Sequence, residues 1–162
     1  MEKFVVVLRH GIAEPRGSAP EETRPLTEEG HRRMRQIAEG LRVIFPKAEA
    51  IISSPLKRCM QTAEWVAKAW PKGLPLVTSD LLRPEADATA LRKLIDNTTV
   101  SRFIVVGHEP NLTAGTLAAT KTQTESELEL KKGGCYGLRI TEEGKATLEW
   151  MLPPRGLRPL SS

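Results

Sequence analysis

The chain of 162 residues is 40% hydrophobic and 27% charged, and its formal net charge is +4 at pH 7. These values are typical of a single globular domain, which we expect to span residues 1–162. The basic excess favours anionic substrates or acidic partner surfaces, but the scattered Lys and Arg and the few aromatic rings argue against nucleic acid.

The cysteines and the apolar runs exclude further classes. Cys59 and Cys135 are too few for a disulfide framework and lack the spacing of metal ligands, so both are expected to be reduced residues in a cytoplasmic protein. No apolar run approaches the roughly 20 residues that span a bilayer. The first run has the length of a strand and lacks a small-residue cleavage site, so we expect neither a signal peptide nor a membrane partner.

The first predicted strand ends in residues suited to binding an anion. The apolar run Phe4–Leu8 leads into Arg9, His10 and Gly11. A guanidinium holds an anion through a planar fork of donors, and an imidazole with a pKa near ~6.5 can be an uncharged nucleophile at neutral pH. Gly11 permits a tight turn that lets a ligand approach closely.

After a polar loop, the sequence predicts an amphipathic helix. Thr27 is a good N-cap, with Glu28 and Glu29 in the first turn. His31 is expected at the surface, without a chemical role. Apolar side chains follow at helical spacing and predict one buried face, at Met34, Ile37, Ala38, Leu41, Ile44 and Phe45.

The second apolar run also passes into a helix. Ala50–Ser53 is followed by Ser54, a predicted N-cap, and by Pro55, a predicted first helical residue. The helix is expected to run to about Trp70. Arg58 then lies in its first turn, where unpaired N–H groups and the helix dipole favour an anion.

The rest of the chain continues the alternation of strands and helices. The predicted elements are a short strand at 76–77, a helix from Asp87, a strand at 103–107 that ends in His108, Glu109 and Pro110, a further helix, a polar connection at 120–127, a hairpin of Cys135–Ile140 and Thr147–Leu152, and a loosely packed tail at 152–162. This order predicts an α/β fold with a mostly parallel central sheet, helices on both faces and a late antiparallel hairpin.

Parallel neighbouring strands would bring the ends of these runs to one edge of the sheet. Arg9, His10, Arg58 and His108 would then converge. Two arginines and two histidines in one pocket suit a dianionic phosphate better than any other common ligand.

Six motifs, in family order over about residues 4 to 113, resemble the histidine phosphatase superfamily and its small SixA-like branch of phosphohistidine phosphatases. The resemblance implies a phosphoglycerate mutase-like fold. The motifs are Leu8-Arg9-His10-Gly11, Arg24-Pro25-Leu26-Thr27-x-x-Gly30, Ser53-Ser54-Pro55-Leu56-Lys57-Arg58, Gln61-Thr62-Ala63, Leu82-x-Pro84-x-x-Asp87 and Gly107-His108-Glu109-Pro110.

The resemblance also implies a role for each motif residue. His10 would be the nucleophile and become transiently phosphorylated, while Arg9, Arg58 and His108 would bind the phosphoryl oxygens. Arg24 would assist in binding phosphate, although it could instead pair with Glu21 or Glu22. No cofactor and no metal are expected, because arginines can neutralise phosphoryl charge by themselves.

A general acid is harder to assign. In larger relatives a carboxylate protonates the leaving group, and the candidates here are Glu21, Glu22, Glu85 and Asp87. Asp87 is better placed as an N-cap, and none of the four stands out. Lys131 and Lys132 are expected to be a solvated strand start.

Three functions compete at this point. The first is a signal-transduction phosphatase that removes phosphate from phosphohistidine in a partner protein, such as a phosphotransfer or kinase domain, and releases inorganic phosphate. The second is a phosphatase for small phosphate esters, and the third is a phosphate- or phosphoprotein-binding module without turnover. The 27 positions from Arg58 to Glu85 leave no room for a cap over a small substrate, and a module would not need His10, so the first is favoured.

Overall fold

The computed structural model describes residues 1–124 and 127–161. Within them lie strands β1 (Lys3–Arg9), β2 (Ala50–Ser53), β3 (Leu76–Thr78), β4 (Arg102–Gly107), β5 (Cys135–Ile140) and β6 (Ala146–Leu152), helices α1 (Glu28–Ile44), α2 (Lys57–Ala69), α3 (Ala90–Asn97), α4 (Asn111–Thr120) and α5 (Pro154–Leu157), and 3₁₀ turns at Asp80–Leu82 and Arg158–Leu160. The strands form one sheet in the order β3-β2-β4-β1-β5-β6.

The sheet confirms the predicted mixture of parallel and antiparallel strands. β1, β2, β3 and β4 are parallel neighbours, and β5 and β6 form the antiparallel hairpin beside β1. In the register, Arg9 lies opposite Gly107, and Ser53 lies opposite Val106. The carboxyl ends of the three central strands are therefore level, and the residues that follow them are neighbours.

Alternating residues of β1 divide the core into two layers. Val6 and Leu8 pack with the buried side of α1 and α2, whereas Val5 and Val7 pack with α3 and α4. Both faces of the central strands are thus buried, as parallel strands require and as the apolar runs predicted.

Helix α1 begins as predicted. Thr27 is its N-cap, and the Thr27 hydroxyl accepts a hydrogen bond from the Gly30 amide at 2.9 Å. His31 corrects the expectation of a simple surface residue, because it is half-buried and its Nδ1 accepts a hydrogen bond from the Trp65 indole at 2.9 Å. His31 therefore links α1 to α2.

The start of α2 differs from the prediction. The helix begins at Lys57, and neither Ser54 nor Pro55 has the predicted capping position. The Ser54 hydroxyl instead lies 2.8 Å from His108 Nε2. It is thus engaged with the neighbouring strand end, while Arg58 still falls in the first turn of α2.

The start of α3 also lies later than predicted, so the N-cap assignment of Asp87 is wrong. The Asp87 carboxylate accepts hydrogen bonds from the Thr89 amide at 2.8 Å and from the Thr89 hydroxyl at 2.5 Å. These bonds fold a side-chain turn, and α3 begins after it at Ala90.

The C-terminal segment is not the loosely packed tail that the sequence predicted. Leu157 of α5 is fully buried against α1. Its carbonyl approaches Gly40 so closely that a side chain at position 40 would clash with it. The segment therefore docks on α1 because a glycine leaves room for its backbone. Of the predicted 120–127 connection, residues 125 and 126 lie outside the described residues.

None of the helices in the described parts of the chain has the length and apolar content needed to cross a membrane.

Candidate active site

The level strand ends bring the two histidines of the sequence motifs together. His10 follows β1 and His108 follows β4, and their rings meet edge to face with centroids 5.5 Å apart. Arg58 reaches the same place from the first turn of α2, with one terminal nitrogen 3.4 Å from His108 Nδ1. Three of the four residues expected to converge, His10, Arg58 and His108, thus lie together.

Among the residues that the structure describes, only one ring nitrogen of His10 has a hydrogen-bond partner. His10 Nδ1 lies 2.7 Å from the Gly11 carbonyl, which can only accept, so Nδ1 carries the proton and Nε2 carries the lone pair. Burial lowers the pKa of His10 to about 3, and the charges of Arg58 and Arg9 act in the same direction. At neutral pH the imidazole is therefore uncharged, and its Nε2 lone pair has no partner among residues 1–124 and 127–161.

The motif Gln61-Thr62 supports the loop that carries His10. The Thr62 hydroxyl accepts a hydrogen bond from the Gly11 amide at 3.1 Å and donates to the Arg58 carbonyl at 2.7 Å. Gln61 Oε1 accepts from the Leu26 amide at 2.8 Å. These side chains fix the strand ends relative to α2 and leave His10 little freedom.

Two buried arginines share a carboxylate at the mouth of the cluster. Arg24 donates from Nε to Glu21 Oε2 at 2.7 Å, and Arg58 NH2 lies 3.7 Å from Glu21 Oε1. The bond from Arg24 holds the pKa of the Glu21 carboxyl below its usual value. Both guanidiniums also donate to backbone carbonyls. Arg24 donates to the Glu14 carbonyl at 2.8 Å, and Arg58 donates to the Glu21 carbonyl at 2.8 Å. The alternative of an Arg24–Glu21 pair is thus observed.

The second histidine is held from the side away from Arg58. His108 Nε2 lies 2.8 Å from the Ser54 hydroxyl and 3.4 Å from Cys59 Sγ. Since a guanidinium only donates, the Arg58 contact requires an unprotonated Nδ1, and Nε2–H then donates to Ser54. Burial, followed by the charge of Arg58, lowers the pKa of His108 to about 3. His108 is therefore also neutral at pH 7.

Arg9 borders the cluster on its more open side. Its NH1 donates to the Leu130 carbonyl at 2.6 Å and lies 3.4 Å from Glu129. The Leu130 amide donates to Glu109, whose carboxylate also accepts from the Thr113 amide at 2.8 Å. Glu109 thus ties the segment before β5 to the loop that carries His108.

Some of the buried hydrogen-bond donors of the cluster have no acceptor in the described part of the chain, as expected of a site that binds an anion. Among the described residues, the buried Nε atoms of Arg9 and Arg58 have no acceptor. An unsatisfied buried donor costs about 1–3 kcal/mol, and burial also lowers the pKa of the Arg58 guanidinium. Phosphoryl oxygens would relieve both penalties, and the guanidiniums would neutralise their charge.

The four acid candidates do not lie together. Glu21 alone reaches the arginines of the cluster. Glu22 and Glu85 pair with Arg83, at 2.6 and 3.7 Å, and Asp87 folds back on Thr89, whose hydrogen bonds lower its carboxyl pKa. Three of the four are thus held away from the cluster.

Four supporting contacts were not predicted from the sequence, those of Ser54, Cys59, Thr62 and Glu109. The positions of Ser54 and Thr62 in the sequence could have indicated these contacts. Ser54 is a polar residue just after a buried strand, and Thr62 lies four residues after Arg58, on the same face of the helix. Cys59, a free and fully buried thiol, has no such signal.

No group of three or more His, Cys, Asp or Glu side chains within 1–124 and 127–161 comes together as a metal site would require.

The fold and this cluster define a class of protein, and comparison with known families agrees. The sequence profile of the histidine phosphatase superfamily (branch 1) matches residues 5–87. The chain belongs to this superfamily, and its relatives place it among the phosphatases of the SixA-like branch.

Individual relatives support the assignment. An uncharacterized protein of Picosynechococcus sp. is 36% identical over 135 residues, which cover 81% of each chain. Phosphohistidine phosphatase SixA of Escherichia coli is 27% identical over 161 residues, covering 95% of this chain and 96% of its own.

Solved structures extend the likeness to the fold. The protein histidine phosphatase SixA complexed with tungstate has a TM-score of 0.81 at 25% identity, covering 95% of this chain and 99% of its own. A mycobacterial glucosyl-3-phosphoglycerate phosphatase has a TM-score of 0.73 at 16% identity, covering 94% of this chain and 100% of its own, and shares the fold alone.

Proposed function

We propose that this phosphatase removes phosphate from phosphohistidine carried by another protein, with His10 as the transient phosphate acceptor. The observation that carries the proposal is the state of His10, which is buried and neutral and has Nε2 free beside Arg58 and His108. The relatives named as phosphohistidine phosphatases support the same substrate class.

The reaction proceeds in two displacements. His10 Nε2 attacks phosphorus, the N–P bond of the substrate breaks, and the departing imidazole takes a proton from water. Water then attacks the phosphorylated His10, which releases inorganic phosphate and regenerates the neutral ring. Arg9 and Arg58 bind the equatorial oxygens throughout, and Arg24 assists from the mouth of the site. His108 joins them by taking up a proton at Nδ1, which the negative charge of the bound phosphoryl group favours, while its Nε2–H stays on Ser54.

The leaving group supports an N–P substrate. A free imidazole has a conjugate-acid pKa of about 6.5, so it leaves with modest protonation, whereas an alkoxide requires a positioned acid worth roughly 10²–10⁴-fold. Glu21, which alone among the candidates reaches the cluster, is paired with Arg24, and that bond lowers its carboxyl pKa. An ionised carboxylate cannot donate the proton that an alkyl ester needs.

The surroundings favour a substrate presented by a protein. Most of residues 58–85 lies in α2, β3 and the 3₁₀ turn, and β3 pairs with β2 in the sheet, which leaves few residues to form a cap over the site. On this proposal the donor is a phosphotransfer or kinase domain, and the enzyme acts in signal transduction in the cytoplasm.

The test compares three substrates by kcat/KM: a phosphohistidine protein, an aryl phosphate and an alkyl phosphate. We expect the phosphohistidine protein to be preferred over the alkyl ester by at least about 10²-fold, with weak turnover of the aryl ester. A faster alkyl ester would contradict the proposal.

A small-ester phosphatase remains the second candidate, and the position of Glu21 beside Arg58 favours it. Glu21→Gln separates the two functions, with Glu22→Gln as the matched control because Glu22 pairs with Arg83. A loss of about 10²-fold or more with alkyl phosphate, in Glu21→Gln only, would assign Glu21 as an acid and support ester hydrolysis.

Catalysis is proposed to need no metal, because the guanidiniums of Arg9, Arg24 and Arg58 supply the positive charge that a metal would bring. Chelator should leave kcat/KM unchanged. Loss of activity that Mg²⁺ or Mn²⁺ restores would overturn this part of the proposal.

A further inference from the structure

A cavity of about 850 Å³ lies beside the active site, and positive charge predominates in it. We call it the basic cavity, because six cationic side chains line it: Arg9, Arg33, Lys131, Lys132, Arg155 and Arg158. Two carboxylates, Glu127 and Glu129, also line it. Only Arg9 belongs to the catalytic cluster as well.

Distant parts of the chain build the basic cavity. Arg33 comes from α1, the two lysines come from the turn before β5, and the docked C-terminal segment brings the other arginines. The turn is joined to the catalytic strand end, because the Gly133 amide lies 3.1 Å from the carbonyls of Arg9 and His10. A ligand in the cavity would therefore lie next to the reacting phosphate.

The charges of the basic cavity are poorly compensated. Arg33 pairs with Glu29 at 2.7 Å, and Arg9 lies 3.4 Å from Glu129. The remaining four cations have no ion pair among residues 1–124 and 127–161, and the buried Nε of Arg158 has no acceptor there. An anionic partner would supply the charge that the protein does not.

We propose that the basic cavity docks an acidic segment of the phosphoprotein substrate and so orients its phosphohistidine toward His10. This inference rests on the proposed function and adds a specificity site to it. Complementary charge of this kind accelerates encounter and fixes the orientation of the partner.

The lining favours a protein over other anions. Sites for small molecules are mostly apolar with a few fixed polar groups, whereas this cavity has six cations, and Lys131, Lys132 and Arg155 are exposed. Its lining has no aromatic ring on which a nucleic-acid base could stack.

The test uses two synthetic phosphohistidine peptides that differ only in their flanks, one with Asp and Glu and one with Ser and Gly. The full-length wild-type enzyme should prefer the acidic peptide by roughly tenfold in kcat/KM at low salt. The preference should shrink at about 0.5 M NaCl, because exposed charges are screened.

The variant Lys132→Glu/Arg155→Glu should lose this preference and keep the wild-type rate with p-nitrophenyl phosphate. Its matched control is Lys47→Glu/Lys72→Glu, which changes the net charge equally at exposed positions near the opposite ends of the parallel strands. The control should keep the preference. Equal rates on the two peptides in the wild type, or an equal loss in the control, would overturn the docking site.

A binding measurement separates failure of docking from failure of the proposed function. If the wild type hydrolyses neither peptide, the proposed function is wrong, and fluorescence anisotropy with the unphosphorylated acidic peptide decides the docking site. Binding that the cavity variant loses and the control keeps supports it, and no binding overturns it. A labelled oligonucleotide that binds more tightly, with the same loss in the variant, would show a nucleic-acid site instead.

Discussion

Two clusters of cations lie side by side in this molecule, and they differ mainly in burial. In the catalytic cluster, the side chains of Arg24 and Arg58 are only 8% and 5% exposed, and backbone carbonyls fix both guanidiniums. In the basic cavity, Lys131, Lys132 and Arg155 are exposed and lack ion pairs within the described residues.

This difference in burial suits the two clusters to different tasks, one to stabilise charge during the reaction and the other to attract a partner. A buried, fixed guanidinium interacts strongly through a low dielectric and is in place before charge develops on phosphorus. An exposed cation on a flexible stem is screened by salt and acts mostly on encounter. We therefore expect the first cluster to control kcat and the second to control KM for a protein substrate.

The largest expected effect is that of His10→Ala. It should lower kcat by roughly 10⁴-fold or more with every substrate, since it removes the atom that accepts phosphate. Acid quench of the wild type should trap phosphate on His10, and circular dichroism should show that the variant is folded. Equal activity in the wild type and in His10→Ala would contradict the mechanism.

The next effect compares one arginine from each cluster. Arg58→Ala should lower kcat by about 10³-fold, whereas Arg155→Ala should leave kcat unchanged and raise KM for a phosphoprotein a few-fold. Steady-state kinetics at two salt concentrations measure both, and only the Arg155 effect should fade at high salt. A similar kcat loss in both variants would erase the distinction between the clusters.

The catalytic cluster was predictable because it depends on strand ends, and strands leave a clear pattern. The runs before Arg9 and His108 are apolar, and parallel pairing then makes those residues neighbours. The family resemblance supplied the roles. The basic cavity was not predicted, because it depends on how the last residues dock, and the close approach of Leu157 to Gly40 has no signal beyond a glycine in a helix.

Local capping was the other weak point. Ser54 and Asp87 have residue types that cap helices, but each side chain bonds elsewhere, Ser54 to His108 and Asp87 to Thr89. The partner of Ser54 is set by a tertiary contact, whereas Asp87 bonds to a residue two positions along the chain, and both arrangements compete with helix capping.

The stability of the fold should decrease moderately at acidic pH. Because burial lowers the pKa of His10 and His108 to about 3, the folded state keeps both rings neutral while the unfolded state binds protons below about pH 6.5. The free energy of unfolding should therefore fall as the pH drops, by about 2 kcal/mol per ring between pH 7 and pH 5.

Urea denaturation at the two pH values measures this loss. In His108→Gln only His10 can take up a proton on unfolding, so the decrease in the free energy of unfolding should be about half that of the wild type. A wild-type stability that does not change between pH 7 and pH 5 would contradict the assignment of two neutral buried rings.

The smallest effect concerns Ser54, a positioning residue that acts through His108. Ser54→Ala removes the nearer partner of His108 Nε2 and leaves only the weak contact with the Cys59 thiol, so the ring can change its tautomer and rotate away from the phosphate. We expect kcat to fall about tenfold with KM nearly constant, and the nitrogen NMR shifts of His108 to show a mixture of tautomers. Ser53→Ala is the matched control, because the equally buried Ser53 hydroxyl donates to the Ser54 carbonyl at 2.8 Å. If both variants lose activity equally, and the His108 shifts do not move, Ser54 serves packing only and the orientation of His108 has another cause.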